Sequence, residues 1–358
     1  MLHLLIFLKK YLYLTLQPAK AYMNRLTSIA TALALTASIC ACSKSNSGDY
    51  HPKQEIVPVD STALTVLPAD WKKAVHLMKD FPTGIQVYLN KKAINSKTTL
   101  LYAVVFDPKL IELKPIVSAT NKKVSDFYQE EIGKKFACIN GGFFGTNTSY
   151  SLSIFNGVVS AINIKSLTRP YNSVNATYYP TRAAFGLTAN NTAEVVWVYH
   201  VGAGNGTVYS YPTPSPNLLN TAPQSVPNAN FPAGGSIWNV NSAIGGSPML
   251  IKNGNINITD EEELIVIDNN SSRARSAIGY TANNKVILLA AEGNNTSGAA
   301  GLTLAEVAQA MKEMGCVGAV NLDGGGSTAL YVNGVHTVKP SDAAGERPVV
   351  TALILKSK

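Results

Sequence analysis

Apolar and polar positions along this chain follow two rhythms, and the clearest change of rhythm lies at residues 302–330, LTLAEVAQAMKEMGCVGAVNLDGGGSTAL. Leu304, Val307, Ala308 and Met311 recur at the i, i+3, i+4, i+7 spacing of a helix that buries one face. Thr303 stands at the N-cap with Glu306 three residues on, the arrangement of a capping box, and Gly315 suits the left-handed residue that closes a helix. The apolar run 316–322 is too short for another ordinary helix and reads as a buried strand. It delivers Asp323 to three bare glycines, Gly324, Gly325 and Gly326, with the hydroxyls of Ser327 and Thr328 beyond. A carboxylate at a strand end beside uncovered amides suits chemistry on an anionic substrate. The same residues also suit a structural turn with a capping Asp.

The layout recurs earlier. Residues 124–132 read as a helix closed by Gly133, followed by a strand at 136–139 and by Asn140-Gly141-Gly142. A second pairing is clearer: Arg182-Ala-Ala-Phe-Gly-Leu-Thr-Ala-Asn-Asn aligns with Arg275-Ser-Ala-Ile-Gly-Tyr-Thr-Ala-Asn-Asn, each leading into another apolar run, 195–198 and 286–291. Two related β units with comparably placed arginines are expected. A common hairpin turn would explain Asn-Asn but not the arginines. Further strands are predicted at 85–89, 99–106 and 113–117, hairpins at Asn253-Gly254 and Asn333-Gly334, and a short amphipathic helix at 69–80. Hairpin turns argue against a doubly wound parallel sheet. The expected fold is α+β: a curved, mainly antiparallel β-sheet system with a few packed helices. Residues 211–232, with six prolines, are expected to be a loop bordering the substrate entrance.

Composition changes the picture at the N-terminus. At 358 residues, 46% apolar and 15% charged, the chain has the means to bury one large or two modest cores. Within residues 1–41, Arg25 precedes an apolar stretch of Ala, Leu and Thr that is too short to span a bilayer. This reads as a signal peptide whose true start is Met23, and Ile39-Cys40-Ala41-Cys42 resembles a bacterial lipobox with Cys42 as the lipid-bearing residue. Residues 42–66 would then be a tether and 67–358 the folded domain, anchored in the membrane by its lipid at the cell envelope, facing the periplasm or the cell surface. Lys9, Lys10, Lys20 and Arg25 leave with the signal, so the formal charge of +8 falls to +4, and no dense basic patch with interleaved aromatics remains to favour nucleic acid. Cys138 and Cys316 both lie in apolar segments where a free thiol packs as a small hydrophobe, although an oxidising compartment also permits a bridge. No Cys/His cluster has zinc spacing, and neither a metal site nor a cofactor is predicted.

Four blocks in order, Asn140-Gly-Gly-Phe-Phe, Arg273-Ala-Arg275-Ser-Ala-Ile-Gly, Gly301-Leu-Thr-Leu-Ala-Glu and Asn321-Leu-Asp-Gly-Gly-Gly-Ser-Thr, resemble the phosphodiester glycosidase family over roughly residues 84–355. Ser276 stands where threonine is commoner, and the proline-rich segment has no clear counterpart. The resemblance implies a hydrolase that cleaves a sugar C1–O bond to phosphate, with a phosphorylated glycan of N-acetylhexosamine type as substrate. Because a phosphate monoester is already a weak base, such an enzyme needs less general-acid help than an ordinary glycosidase. On this reading Asp323 is the nucleophile or general base and Glu292 the second carboxylate. Arg275, with Arg273 or Arg182, grips phosphate through the planar guanidinium fork. Asn140 and Gly141 orient the substrate, and Gly324, Gly325, Gly326, Ser327 and Thr328 line the anion. A glycan-binding protein without catalysis is the alternative. A divalent cation on Asp323, Asn140 and Glu292 is a further one, since hard oxygen ligands suit calcium or magnesium.

Overall fold

The helix expected after Thr303 forms as Leu304–Glu313, and its start is held as the residues imply. Thr303 Oγ1 accepts the Glu306 N–H at 3.2 Å, and Glu306 Oε2 accepts the Thr303 N–H at 2.7 Å. Gly315 follows at φ +87°, a conformation that costs glycine nothing. In this computed structural model, which describes residues 62–94, 97–265 and 268–358, the apolar face of that helix lies on an eight-stranded sheet. The expected signal peptide, Cys42 and most of the tether lie outside the described residues. Leu304, Val307 and Met311 are at most 2% exposed, and burying each contributes roughly 1.5–3 kcal/mol.

The eight-stranded sheet runs Lys72–Lys73, Ile85–Ile94, Lys97–Phe106, Val286–Ala291, Arg275–Thr281, Cys316–Asn321, Met249–Lys252, Asn255–Ile256. A seven-stranded sheet is built around Arg182–Leu187 and Ala193–Val201, and a five-stranded sheet around Lys135–Asn140 and Val349–Ser357. Every pairing in the three is antiparallel. The central core sits where they meet: Val104, Ile278 and Val320 of the first pack with Phe185 and Trp197 of the second and Ile139 and Leu353 of the third.

The two Thr-Ala-Asn-Asn segments make the same turn. Asn191 at φ 57° and Asn284 at φ 60° each occupy the left-handed region, and each donates its N–H back to the threonine carbonyl at 2.9 Å. The turns also touch, with Asn284 Nδ2 donating to Asn191 O at 2.9 Å. The hairpins at Asn253-Gly254 and Asn333-Gly334 carry the positive φ at both positions that a type I′ turn requires.

Two helices differ from expectation. Residues 69–80 form a two-residue strand, Lys72–Lys73, and a 3-10 turn, Val75–Leu77. The backbone there completes a sheet edge, with the Ala74 N–H bonded to Val87 O at 2.9 Å, and the edge pairing overrides the amphipathic pattern. The helix at 124–132 ends as Val124–Glu130, and Ile132 is 80% exposed. Glu131 turns out of the helix to meet Lys114 Nζ at 2.8 Å and the Lys356 ammonium. Cys138 and Cys316 are free thiols, buried in different sheets, and burial pushes both well above the usual thiol range.

Candidate active site

Three glycine loops converge at the C-terminal end of the Cys316–Asn321 strand. The Asp323 N–H donates to Gly141 O at 3.1 Å, the Ser247 N–H to Asn321 O at 2.9 Å, and the Gly325 N–H to Ala274 O at 2.8 Å. Backbones this close leave no room for side chains. A Cβ at Gly141 would sit 2.3 Å from Thr351 Oγ1, and one at Gly246 would sit 2.1 Å from Asn321 O.

The loops floor a cleft of about 350 Å³ lined by Asp323, Arg273, Arg275, Arg347, Asp342 and Ser247, among others. Burial pushes the Asp323 carboxyl up to about 6; the Ser327 hydroxyl, the Gly324 N–H on Oδ1 at 2.9 Å and the charge of Arg347 oppose the shift. Arg347 grips Asp342 through both arms of its fork, Nε to Oδ2 at 2.8 Å and Nη2 to Oδ1 at 2.9 Å. The pair rests on Gly326, where a Cβ would lie 2.2 Å from Arg347 Nη2. Arg273 donates from Nε to Asp268 Oδ2 at 3.0 Å.

Several expected site residues have other neighbours. Asn140 is fully buried and does not line the cleft: its Nδ2 donates to Asp323 O at 2.8 Å, and its Oδ1 accepts from Ser276 Oγ at 2.7 Å and from the Ala329 N–H. Its place is behind the loop, where it ties Asp323 to two further strands. Gly141 likewise engages Asp323 and Thr351 through its backbone. Glu292 also stands outside the lining, with its Oε1 accepting the Lys339 N–H at 2.7 Å. The oxygens of Asp323, Asn140 and Glu292 are therefore turned to separate partners. Among the described residues, no three His, Cys, Asp or Glu side chains gather as a metal site. All three glycines line the cleft, but two of their amides are already engaged: the Gly324 N–H goes to the Asp323 carboxylate and the Gly325 N–H to Ala274 O. What these glycines supply is space. Arg275 lines the cleft, but its Nε donates to Leu302 O at 2.9 Å and its Nη2 to Asp268 O at 2.7 Å and Ser271 O at 2.9 Å, so it also pins the loop before it. Ser327 and Thr328 are both buried.

In the acidic run 260–263, which by composition alone would suit a solvated loop, Glu263 stands apart. It is fully buried, and its carboxylate accepts from Ala183 N at 2.9 Å, Met249 N at 2.8 Å, Thr259 Oγ1 at 2.7 Å, Trp197 Nε1 at 3.1 Å and Ser247 Oγ. Burial raises its pKa, and the donors from Ser247, Ala183, Thr259 and Met249 oppose the rise. Ser247 in turn accepts from Arg182 Nη1 at 3.2 Å. Arg182 thus stands one hydroxyl away from a buried carboxylate, in a second chamber beside the cleft. Asp342 carried no sequence signal beyond its proximity to Arg347.

An antiparallel β domain with a carboxylate at a strand end, its pKa raised by burial, in a cleft shared with several guanidinium groups, has the makings of a hydrolase site for an anionic substrate. The phosphodiester glycosidase model matches residues 136–356, more than half of the chain, and the chain belongs to the phosphodiester glycosidase family. It is similar to the N-acetylglucosamine-1-phosphodiester alpha-N-acetylglucosaminidases of Mus musculus, at 36% identity over 110 residues, and Homo sapiens, at 31% over 109 residues. Each match covers 28% of this chain and spans about a fifth (21%) of the relative's length. Among solved structures, the catalytic domain of the zebrafish N-acetylglucosamine-1-phosphodiester alpha-N-acetylglucosaminidase superposes with a TM-score of 0.52 at 19% identity, covering 76% of this chain and 83% of that one. A hypothetical protein from Synechocystis superposes at 0.50 with 18% identity, covering 77% and 63%. At these identities the two structures speak for the fold.

Proposed function

We propose that the protein hydrolyses a sugar 1-phosphodiester, breaking the bond between the anomeric carbon and the bridging oxygen to release a sugar and a phosphate monoester. The observation that carries this is Asp323: a carboxylate held near neutrality at a strand end, in a cleft it shares with Arg273, Arg275 and Arg347. A pKa of about 6 leaves it ionised at neutral pH while keeping it basic enough to act. In the reaction it either attacks the anomeric carbon itself or draws the proton from the attacking water; the two differ in the anomer released. The electron pair of the broken bond stays on the bridging oxygen. The departing phosphate monoester is stabilised by the cleft guanidinium groups, with no strong acid required. Asn140 is a positioning residue in this scheme, acting through the Asp323 backbone. An N-acetylhexosamine is the proposed sugar, by analogy with the substrate in the mouse and human relatives' names. For the N-terminus, the sequence reading supports a lipid anchor at Cys42 and a place at the cell envelope.

The test is hydrolysis of UDP-N-acetylglucosamine, an N-acetylglucosamine 1-phosphate methyl diester and a nitrophenyl N-acetylglucosaminide by wild type and Asp323→Asn. Sugar release from a phosphodiester, abolished in the variant, supports the reading. No turnover of either phosphodiester by the wild type sinks it.

A further inference from the structure

Beside the cleft, and sharing Phe143, Ser247 and Ile265 with it, lies a chamber of about 400 Å³. Its walls are largely apolar, with Phe144, Ile164, Leu167 and Leu264 among them, yet two arginines, Arg182 and Arg169, also line it. Leu219 of the proline-rich segment closes one side.

The two repeat-related arginines differ in how well they are satisfied. Arg275 makes three hydrogen bonds to backbone carbonyls. Arg182 is 6% exposed, yet among the described residues only its Nη1 has an acceptor, the Ser247 hydroxyl at 3.2 Å, and its Nε is sealed from water with no partner. The nearest buried carboxylate, Glu263, already accepts from five other groups. Arg169 adds a second positive charge close enough to repel Arg182. A buried guanidinium with unfilled donors is costly unless an anion completes it.

We propose that this chamber is an anion-binding subsite for the far end of the substrate: an aglycone with an apolar body and a negative charge of its own, seated on Arg182 and Arg169. This rests on the phosphodiester glycosidase reading, with the scissile phosphate in the cleft and the aglycone passing over Ser247 into the chamber. Apolar walls hold the body of the aglycone, and the arginines select for the second charge.

The experiment compares two N-acetylglucosamine 1-phosphodiesters, a phenethyl ester and the same ester with a para-carboxylate. The leaving oxygen is on phosphate in both, so a remote carboxylate hardly alters leaving-group basicity and the ratio of kcat/KM reports recognition. Wild type is expected to favour the carboxylate by about tenfold or more, the size of one buried charge-assisted hydrogen bond. Arg182→Gln should bring the ratio to about one, and Arg169→Ala should lower it. A wild-type ratio near one, or a ratio that survives Arg182→Gln, overturns the proposal. Should Arg182→Gln not fold, Arg169→Ala decides, and an unchanged ratio there overturns it. Should the wild type cleave neither ester, the glycosidase reading itself fails. Calorimetric titration with the two phenethyl phosphates then tests the subsite alone, and equal affinities would refute it.

Discussion

Asn140 and Asp323, 183 residues apart, are joined by a hydrogen bond of 2.8 Å from the Asn140 side-chain amide to the Asp323 backbone carbonyl. The same side chain accepts from Ser276 and Ala329, so one buried amide ties the loop that carries the carboxylate to the Lys135–Asn140 strand, which it ends, and to the Arg275–Thr281 strand. Replacing it with alanine strands these groups without partners in a site closed to water. Asn140→Ala is expected to lose about 2–4 kcal/mol in urea denaturation and to lower kcat more than it raises KM. Asn140→Asp is also expected to fail, because a carboxylate has no N–H for the Asp323 carbonyl.

Asp323 couples activity to pH and stability in opposite senses. Its pKa is raised in the folded protein, so the favourable contribution is fully present below the unfolded value and lost as pH rises through about 6. The carboxylate that chemistry needs is thus the form that burial disfavours. kcat/KM should rise with pH across this region. Asp323→Asn should be inactive yet more stable than wild type at pH well above 6, by about 2–3 kcal/mol. Thermal melting at acidic and neutral pH checks this: a variant no more stable than wild type at neutral pH refutes the assignment.

Arg347 opposes that rise through its charge. Removing it should let the Asp323 pKa climb. Arg347→Gln is expected to move the acid limb of the pH–rate profile upward by roughly half a unit to one unit, apart from any loss of phosphate affinity. A limb that stays in place would mean that Arg347 serves only its pair with Asp342.

What could be read from the sequence follows from how local each signal is. The capped helix at Leu304, the two Asn-Asn turns and the hairpins at Asn253-Gly254 and Asn333-Gly334 announce themselves within a few residues, because caps and left-handed turns depend on local side-chain chemistry. Asp323, Arg273 and Arg275 were placed in the cleft by resemblance and by their position at strand ends. Glu263 was not legible, since its five donors come from four segments that only the folded chain brings together. The role of the triple glycine was only partly legible for a related reason. A bare amide and a close backbone approach both call for glycine, and only geometry separates them. Residues 69–80 carry a helical pattern, but Trp71, Ala74 and Leu77 find burial around a two-residue edge strand and a 3-10 turn instead.

Glu263 carries a second stability prediction. Glutamine keeps the shape of the side chain but presents an amide NH₂ to groups that are themselves donors, and it leaves Arg182 without the buried negative charge beyond Ser247. Glu263→Gln is therefore expected to cost about 3–5 kcal/mol in a denaturation series. A loss below about 1 kcal/mol would show that the carboxyl is already held neutral.

Arg275→Lys separates the two roles that this arginine combines. As a phosphate clamp alone, its replacement would injure phosphodiester substrates far more than a neutral aryl glycoside, because an ammonium lacks the planar fork. The structure adds another task, since Nε and Nη2 hold the carbonyls of Leu302, Asp268 and Ser271 and so fix the loop on which Arg273 stands. The single nitrogen of an ammonium cannot take the places of both Nε and Nη2. The expected outcome is therefore a loss on both substrate types, larger on the phosphodiester, with a destabilisation of about 1–3 kcal/mol. Steady-state kinetics on a methyl phosphodiester and a nitrophenyl glycoside, read beside a melting curve, resolves the two contributions. If the phosphodiester alone suffers and the melting temperature holds, the clamp is the whole of the role; if both substrates suffer equally, Arg275 serves the loop and the phosphate belongs to Arg273 and Arg347.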